Sequence, residues 1–180
     1  TILQAMIEAS IPIQLVVTDR QCTAETIATH NNITLKRIER NSYGKDFDRD
    51  TYTCEVRDAL IDHEIDLIAM AGFGTILNKP IYDDFSNRIL NTHPSLLPSF
   101  PGWHAVEEAL EYGVKVTGCT VHIATEEVDA GPILAQESIP VLKDDTKETL
   151  HERIKTVERQ LYVDTINKII ATNGQIERDQ

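Results

Sequence analysis

Three side chains of this sequence combine into a reactive set. Asn91, His93 and Asp129 each follow a short apolar run, the placement of side chains aimed into one cleft from strand ends and loops. An Asn amide donates to a developing oxyanion. An imidazole moves protons near neutral pH, or stabilises negative charge when protonated. A carboxylate nearby favours the charged ring, and can orient a water or accept a proton. Together the three suit attack of a neutral nucleophile on a carbonyl through a tetrahedral intermediate. No Ser or Cys stands in a nucleophile-elbow context, so a covalent acyl-enzyme is not indicated. Spacing alone leaves two blander readings open: His93 as a buried ring bracing the Pro-rich loop after it, and Asp129 as a turn residue ahead of Gly131.

The elements that must position this set alternate along the chain. Ile2, Leu3, Met6 and Ile7 recur at helical spacing, so residues 1–9 read as a helix. Ile13 to Val17 and Ile33 to Ile38 read as short strands around a helix over Thr23 to His30, capped by Thr23 or its neighbour and stopped by Asn31-Asn32. Arg40 to Asp46 is loop-like. Asp48 to His63 is amphipathic, with Val56, Leu60 and Ile61 inward, and Leu67 to Ala71 reads as the central strand, apolar on both faces. This alternation predicts a parallel sheet wrapped by helices, which binds ligands beyond the carboxyl ends of its strands. Ile81 to Phe85 is a short helix or turn, and Arg88 to Asn91 a strand that delivers Asn91 to that edge. A loop stiffened by Pro94, Pro98 and Pro101 follows, then a helix over Ala105 to Tyr112 stopped by Gly113. Thr117 to Ile123 and Ile133 to Ile139 read as an antiparallel pair, and Thr146 caps a last helix to Ala171. The expected fold is therefore α/β and Rossmann-like: a mostly parallel twisted sheet, helices on both faces, and an antiparallel pair toward the C-terminus.

At 180 residues the chain fits one domain. Its net charge of −12 argues against a nucleic-acid partner, although an anionic substrate remains possible where Lys, Arg, His or helix N-termini make the site locally positive. No apolar run reaches the roughly 18 residues of a membrane span, and no signal peptide is visible. Cys22, Cys54 and Cys119 form no C-x-x-C pair, which argues against a metal centre and points to a reducing, cytoplasmic setting. His30, His63 and His151 read as surface residues, His122 as either a packed core residue or part of a site, and Trp103 as packing for the Pro-rich loop.

The string Ile89-Leu90-Asn91-Thr92-His93-Pro94-Ser95-Leu96-Leu97-Pro98 resembles the signature of the folate-dependent formyltransferases, in particular the branch that acts on phosphoribosylglycinamide in purine synthesis. The likeness continues through Ala71-Gly72-Phe73, Pro101-Gly102, Thr117-Gly118-Cys119-Thr120-Val121-His122, Asp129-Ala130-Gly131-Pro132 and Gln136, and covers nearly the whole chain from Leu3. It implies Asn91, His93 and Asp129 as the catalytic set, 10-formyltetrahydrofolate as formyl donor with no metal, and the amine of 5′-phosphoribosylglycinamide as acceptor. The folate would lie against Gly74, Thr75, Ile76 and Leu77, against Thr125, Glu126, Glu127 and Val128, and beside Arg49. The ribonucleotide would meet Thr1, Ile2, His104, Lys155 and Glu158. The family's first strand and Gly-rich phosphate turn would precede residue 1, within a single formyltransferase domain that acts as monomer or homodimer. Gly74-Thr75 replaces the Met-Arg of many relatives, removing a bulky wall and a charge. Alternatives on the same fold are a formyltetrahydrofolate deformylase and a non-catalytic folate-binding protein. No nucleotide-triphosphate motif points to a formate- and ATP-dependent route.

Overall fold

A computed structural model describes residues 1–40, 42, 44–172 and 174; Asn41 and Tyr43 of the expected loop, and the tail after residue 174, lie outside the described residues. The elements follow the expected order: α1 (Ile2–Glu8), β1 (Leu15–Thr18), α2 (Thr23–His30), β2 (Thr34–Arg37), α3 (Arg49–Asp62), β3 (Ile68–Ala69), α4 (Lys79–Asp84), β4 (Ile89–His93), α5 (Ala105–Tyr112), β5 (Val116–Ile123), β6 (Ile133–Pro140) and α6 (Lys147–Ala171). Local chemistry sets the boundaries. The Asp48 carboxylate accepts from Thr51 N at 3.0 Å to start α3, Thr146 and Thr149 form a reciprocal cap on α6, and Gly113 ends α5 in the left-handed conformation at φ 79°.

β1 and β2 pair in parallel, as do β3 and β4; β5 then runs antiparallel to both β4 and β6. Period-2 alternation along β4 sends Ile89 and Leu90 into different cores. Ile89 packs with Val56 and Leu60 of α3 and Ile81 of α4, while Leu90 packs with Met6 of α1 and Tyr162 and Ile166 of α6. Helices therefore cover both faces of the sheet. Tyr162 ties the layers together: its buried hydroxyl donates between the Met70 and Leu90 carbonyls, at 3.0 and 2.9 Å.

Two expectations need correction. Leu67 to Ala71 is not a long central strand, because only Ile68 and Ala69 pair, and both are half-buried. Among the described residues β3 has a strand neighbour on one side alone. Its other edge faces β1 across an apolar trough of about 380 Å³, lined by Leu15, Val17 and Met70 among others. Ile61 of α3 is 50% exposed rather than inward, since one residue is a 100° turn away from buried Leu60; Tyr52, Thr53 and Ala59 complete the buried face instead. Among the described residues no helix is long and apolar enough to cross a membrane.

Candidate active site

A cleft of about 720 Å³ opens where β3 and β4 end, and Asn91, His93, His122 and Asp129 line it together. Alternation along β4 puts Asn91 and His93 on one face and Thr92 on the other. Asn91 sits opposite His122 in the β4–β5 register, and its Nδ2 lies 3.3 Å from His122 Nε2. The direction of that bond follows from the other ring nitrogen. His122 Nδ1 lies 3.0 Å from the Ile123 carbonyl, which only accepts, so Nδ1 carries the proton. Burial pushes the His122 pKa down and keeps the ring neutral. Nε2 therefore accepts from Asn91, leaving the second Asn91 N–H for the cleft. The approach of Asp129 Oδ1 to His122 Nε2, at 3.6 Å, is a contact and not an ion pair, because the ring is uncharged.

His93 is 5% exposed. Its Nε2 donates to the Phe100 carbonyl at 2.8 Å, and its Nδ1 lies 3.3 Å from Asp129 Oδ2. Both ring nitrogens thus face oxygen acceptors, an arrangement that the doubly protonated imidazolium satisfies. The bracing role and the reactive placement of His93 coexist. The loop it braces is pinned from β5 as well: the Thr120 hydroxyl donates to Ser95 O at 2.7 Å and accepts from Leu97 N at 3.0 Å. Gln136 Nε2 of β6 donates to Leu97 O at 2.9 Å.

Asp129 reaches the cluster from the β5–β6 connection with φ 57°, a left-handed conformation that Asp tolerates better than most residues. Its Oδ2 accepts from Gly102 N at 2.8 Å, joining that connection to the Pro-rich loop. Gly131 allows the chain to return to β6, since a Cβ there would stand 1.8 Å from the Ile123 carbonyl oxygen. A second polar pair lies across the cleft, where the Thr92 hydroxyl donates to Glu158 of α6 at 2.8 Å. Burial raises the Glu158 pKa, opposed in part by that hydroxyl.

The match to the family described as formyl transferase spans residues 1–166. The chain belongs to the formyl transferase family. It is 46% identical over 156 residues to the phosphoribosylglycinamide formyltransferase of Mycobacterium tuberculosis, covering 87% of this chain and 71% of that protein. The crystal structure of phosphoribosylglycinamide formyltransferase from Bacillus halodurans superposes with a TM-score of 0.88 at 32% identity, over 96% of this chain and 91% of that one. A formyltetrahydrofolate deformylase from Pseudomonas syringae superposes with a TM-score of 0.83 at 25% identity, over 91% of this formyl transferase chain but 55% of that one.

The cleft of this formyl transferase also gathers Thr1, Ile2, Gly74, Thr75, Ile76, Leu77, Thr125, Val128, Lys155 and Glu158. Thr75 and Leu77 contribute backbone, because the Thr75 hydroxyl is buried against Asp19 at 3.0 Å and Leu77 belongs to the core. Arg49, Glu126, Glu127 and His104 do not line it. Arg49 donates to the Ile76 carbonyl at 2.5 Å from behind the wall. Glu126 and Glu127 are exposed, and His104 turns to Glu107 at 3.5 Å. Lys155 pairs with Glu152 at 2.8 Å rather than with Glu158. His63 and His151, read as surface residues, are half-buried, and His151 lines the cleft because α6 turns that face toward it. One reading fails outright. Trp103, at 71% exposure, does not pack into its loop. His122 enters the cluster through strand register, which has no local signal in the sequence; Thr92, one residue from Asn91 and His93, was within reach of a strand-alternation argument.

Proposed function

We propose that this formyl transferase transfers the formyl group of 10-formyltetrahydrofolate to the amine of 5′-phosphoribosylglycinamide, in a reducing cytoplasmic compartment. The observation that carries the reading is the hydrogen-bonded cluster of Asn91, His122, His93 and Asp129 at the base of the cleft. The residues around it fit the donor: Met70, Phe73 and Val128 give apolar walls for flat rings, and the backbone of residues 74–77, with that of Thr125 and Val128, offers donors and acceptors along them. When bound, the donor presents a formyl carbon open to nucleophilic attack. The free Asn91 N–H donates to the oxyanion that forms as the amine nitrogen bonds to that carbon, and the charge of the His93 imidazolium, whose two N–H groups are held by Phe100 and Asp129, favours that oxyanion through space. Asp129 holds His93 in place and takes the amine proton, directly or through water, for return to the folate nitrogen as its bond to carbon breaks. At the other end Thr1, Ile2 and Lys155 serve the phosphoribosyl group, with Glu158 accepting from sugar hydroxyls. The trough between β1 and β3, bounded by two strand edges without partners among the described residues, supports an additional family strand pairing there.

The deciding assay incubates the full-length protein with 10-formyltetrahydrofolate, with and without phosphoribosylglycinamide, and follows tetrahydrofolate by absorbance. Release that requires the ribonucleotide is the expected result. Release without it, yielding formate, identifies a deformylase. Binding of the folate with no release in either arm identifies a non-catalytic folate protein.

A further inference from the structure

We propose that Thr92 positions the acceptor by holding the Glu158 carboxylate toward its sugar hydroxyls; this rests on the acceptor assignment above. β4 carries two tasks on its two faces. Asn91 and His93 face the reactive cluster, while Leu90 and Thr92 face α6. The register of helix against strand fixes the pair. Tyr162 packs on Leu90 and donates to its carbonyl at 2.9 Å, and Glu158 lies one turn earlier, about 6 Å back along α6. Thr92 lies two residues beyond Leu90, about 6.6 Å along β4. The helix therefore runs back along the strand and brings Glu158 Oε1 to 2.8 Å from the Thr92 hydroxyl. Both side chains are half-buried and line the cleft. Among the described residues Glu158 Oε2 has no hydrogen-bond partner, which leaves it to accept from a hydroxyl in the cleft.

A carboxylate accepts from a hydroxyl more strongly when it is charged, and the surroundings pull Glu158 both ways. Burial raises its pKa; the Thr92 hydroxyl is the largest opposing influence, followed by Lys155, His93 and Arg159. The other titratable groups near it keep their protons: burial pushes the Cys119 thiol of β5 up to about 12 and the Tyr162 phenol well above its usual value, and the Glu158 charge adds to both. Lys155 is paired with Glu152 at 2.8 Å, so Thr92 is the fixed donor to Glu158. Thr92 also stands between Asn91 and His93 in the chain. The residue that sets the sugar thus shares one strand with the residues that act on the formyl carbon, and an error at Glu158 becomes an error in the approach of the amine to that carbon.

Full-length Thr92→Val, which keeps the branched shape, should lower kcat/KM for phosphoribosylglycinamide about tenfold, with KM for 10-formyltetrahydrofolate within about twofold of the parent. Thr92→Ser should restore most of the loss, which a loss of folding would not permit. Without the hydroxyl Glu158 holds its proton to higher pH, so the acid limb of the acceptor kcat/KM profile should move up in Thr92→Val and return in Thr92→Ser. Acceptor analogues lacking the 2′- or the 3′-hydroxyl should cost the parent more than they cost Thr92→Val, because the variant has already lost that contact. The positioning role alone is overturned if the parent requires the ribonucleotide and Thr92→Val keeps its acceptor kcat/KM within about twofold, or if Thr92→Ser restores nothing. A parent that releases tetrahydrofolate without the ribonucleotide overturns the acceptor assignment and this role with it.

Discussion

The two walls of the cleft are built on different principles. The β4–β5 wall is made of buried and half-buried polar side chains, each with a defined partner: Asn91 on His122, His93 between Phe100 and Asp129, Thr92 on Glu158. The wall over residues 72–77 is backbone and apolar surface, supported from behind by Thr75 on Asp19 and by Arg49 on the Ile76 carbonyl. A polar wall can act on charge as it develops, because its dipoles are fixed before reaction. A backbone wall can read the edge of a flat ligand but gives little to the chemical step. Substitutions in the first should therefore act on kcat, and those in the second on donor KM and stability.

The strongest test of that division is His93→Ala. Loss of a positioned proton-transfer or oxyanion group should lower kcat on the order of 10²–10⁴-fold, while the donor dissociation constant, measured by titration, changes little. Parallel loss of donor binding would make His93 a loop brace first and dissolve the contrast between walls. Asn91→Ala comes next, with a fall in kcat of about 10²–10³-fold. His122→Gln should act through Asn91 with a smaller loss, and steady-state kinetics on the three variants give the order.

Stability sharpens the comparison further. The Tyr162 hydroxyl joins α6 to the start of both walls, and Tyr162→Phe leaves buried carbonyls with one partner fewer. The urea midpoint should fall by the equivalent of about 1–3 kcal/mol. His122 predicts a pH dependence. Burial lowers its folded-state pKa below the ordinary 6.5, so on acidification the unfolded chain protonates at this ring first. Its cost is absent above pH 6.5 and grows as the pH falls toward the folded-state value. Urea midpoints compared between neutral and mildly acidic pH should drop for the parent, and less steeply for His122→Gln. The smallest effect is expected for Arg49→Ala, an exposed donor to Ile76: about 0.5 kcal/mol or less in stability, with any kinetic change confined to donor KM. A fall in kcat for this variant would show that the second wall reaches the chemistry.

The residue types of Asn91, His93 and Asp129 and their places after apolar runs were legible locally, but spacing left His93 open as a loop brace and Asp129 as a turn residue; the resemblance to the folate-dependent formyltransferases is what singled the three out as a reactive set. The element order was legible locally too, since helix and strand periods are written in consecutive residues and Thr146 and Gly113 mark their ends. Tertiary structure decided everything that depends on elements far apart in the chain. The β4–β5 register put His122 against Asn91, and α6 turned His151 into the cleft. The Pro-rich loop folded so that Gly102 met Asp129 and Trp103 was left at the rim. The length of β3 belongs to the same class, because a strand extends as far as its neighbours provide hydrogen-bond partners, and an apolar run alone does not name those neighbours. Composition and periodicity assign a residue to a face; only packing between elements decides what that face meets.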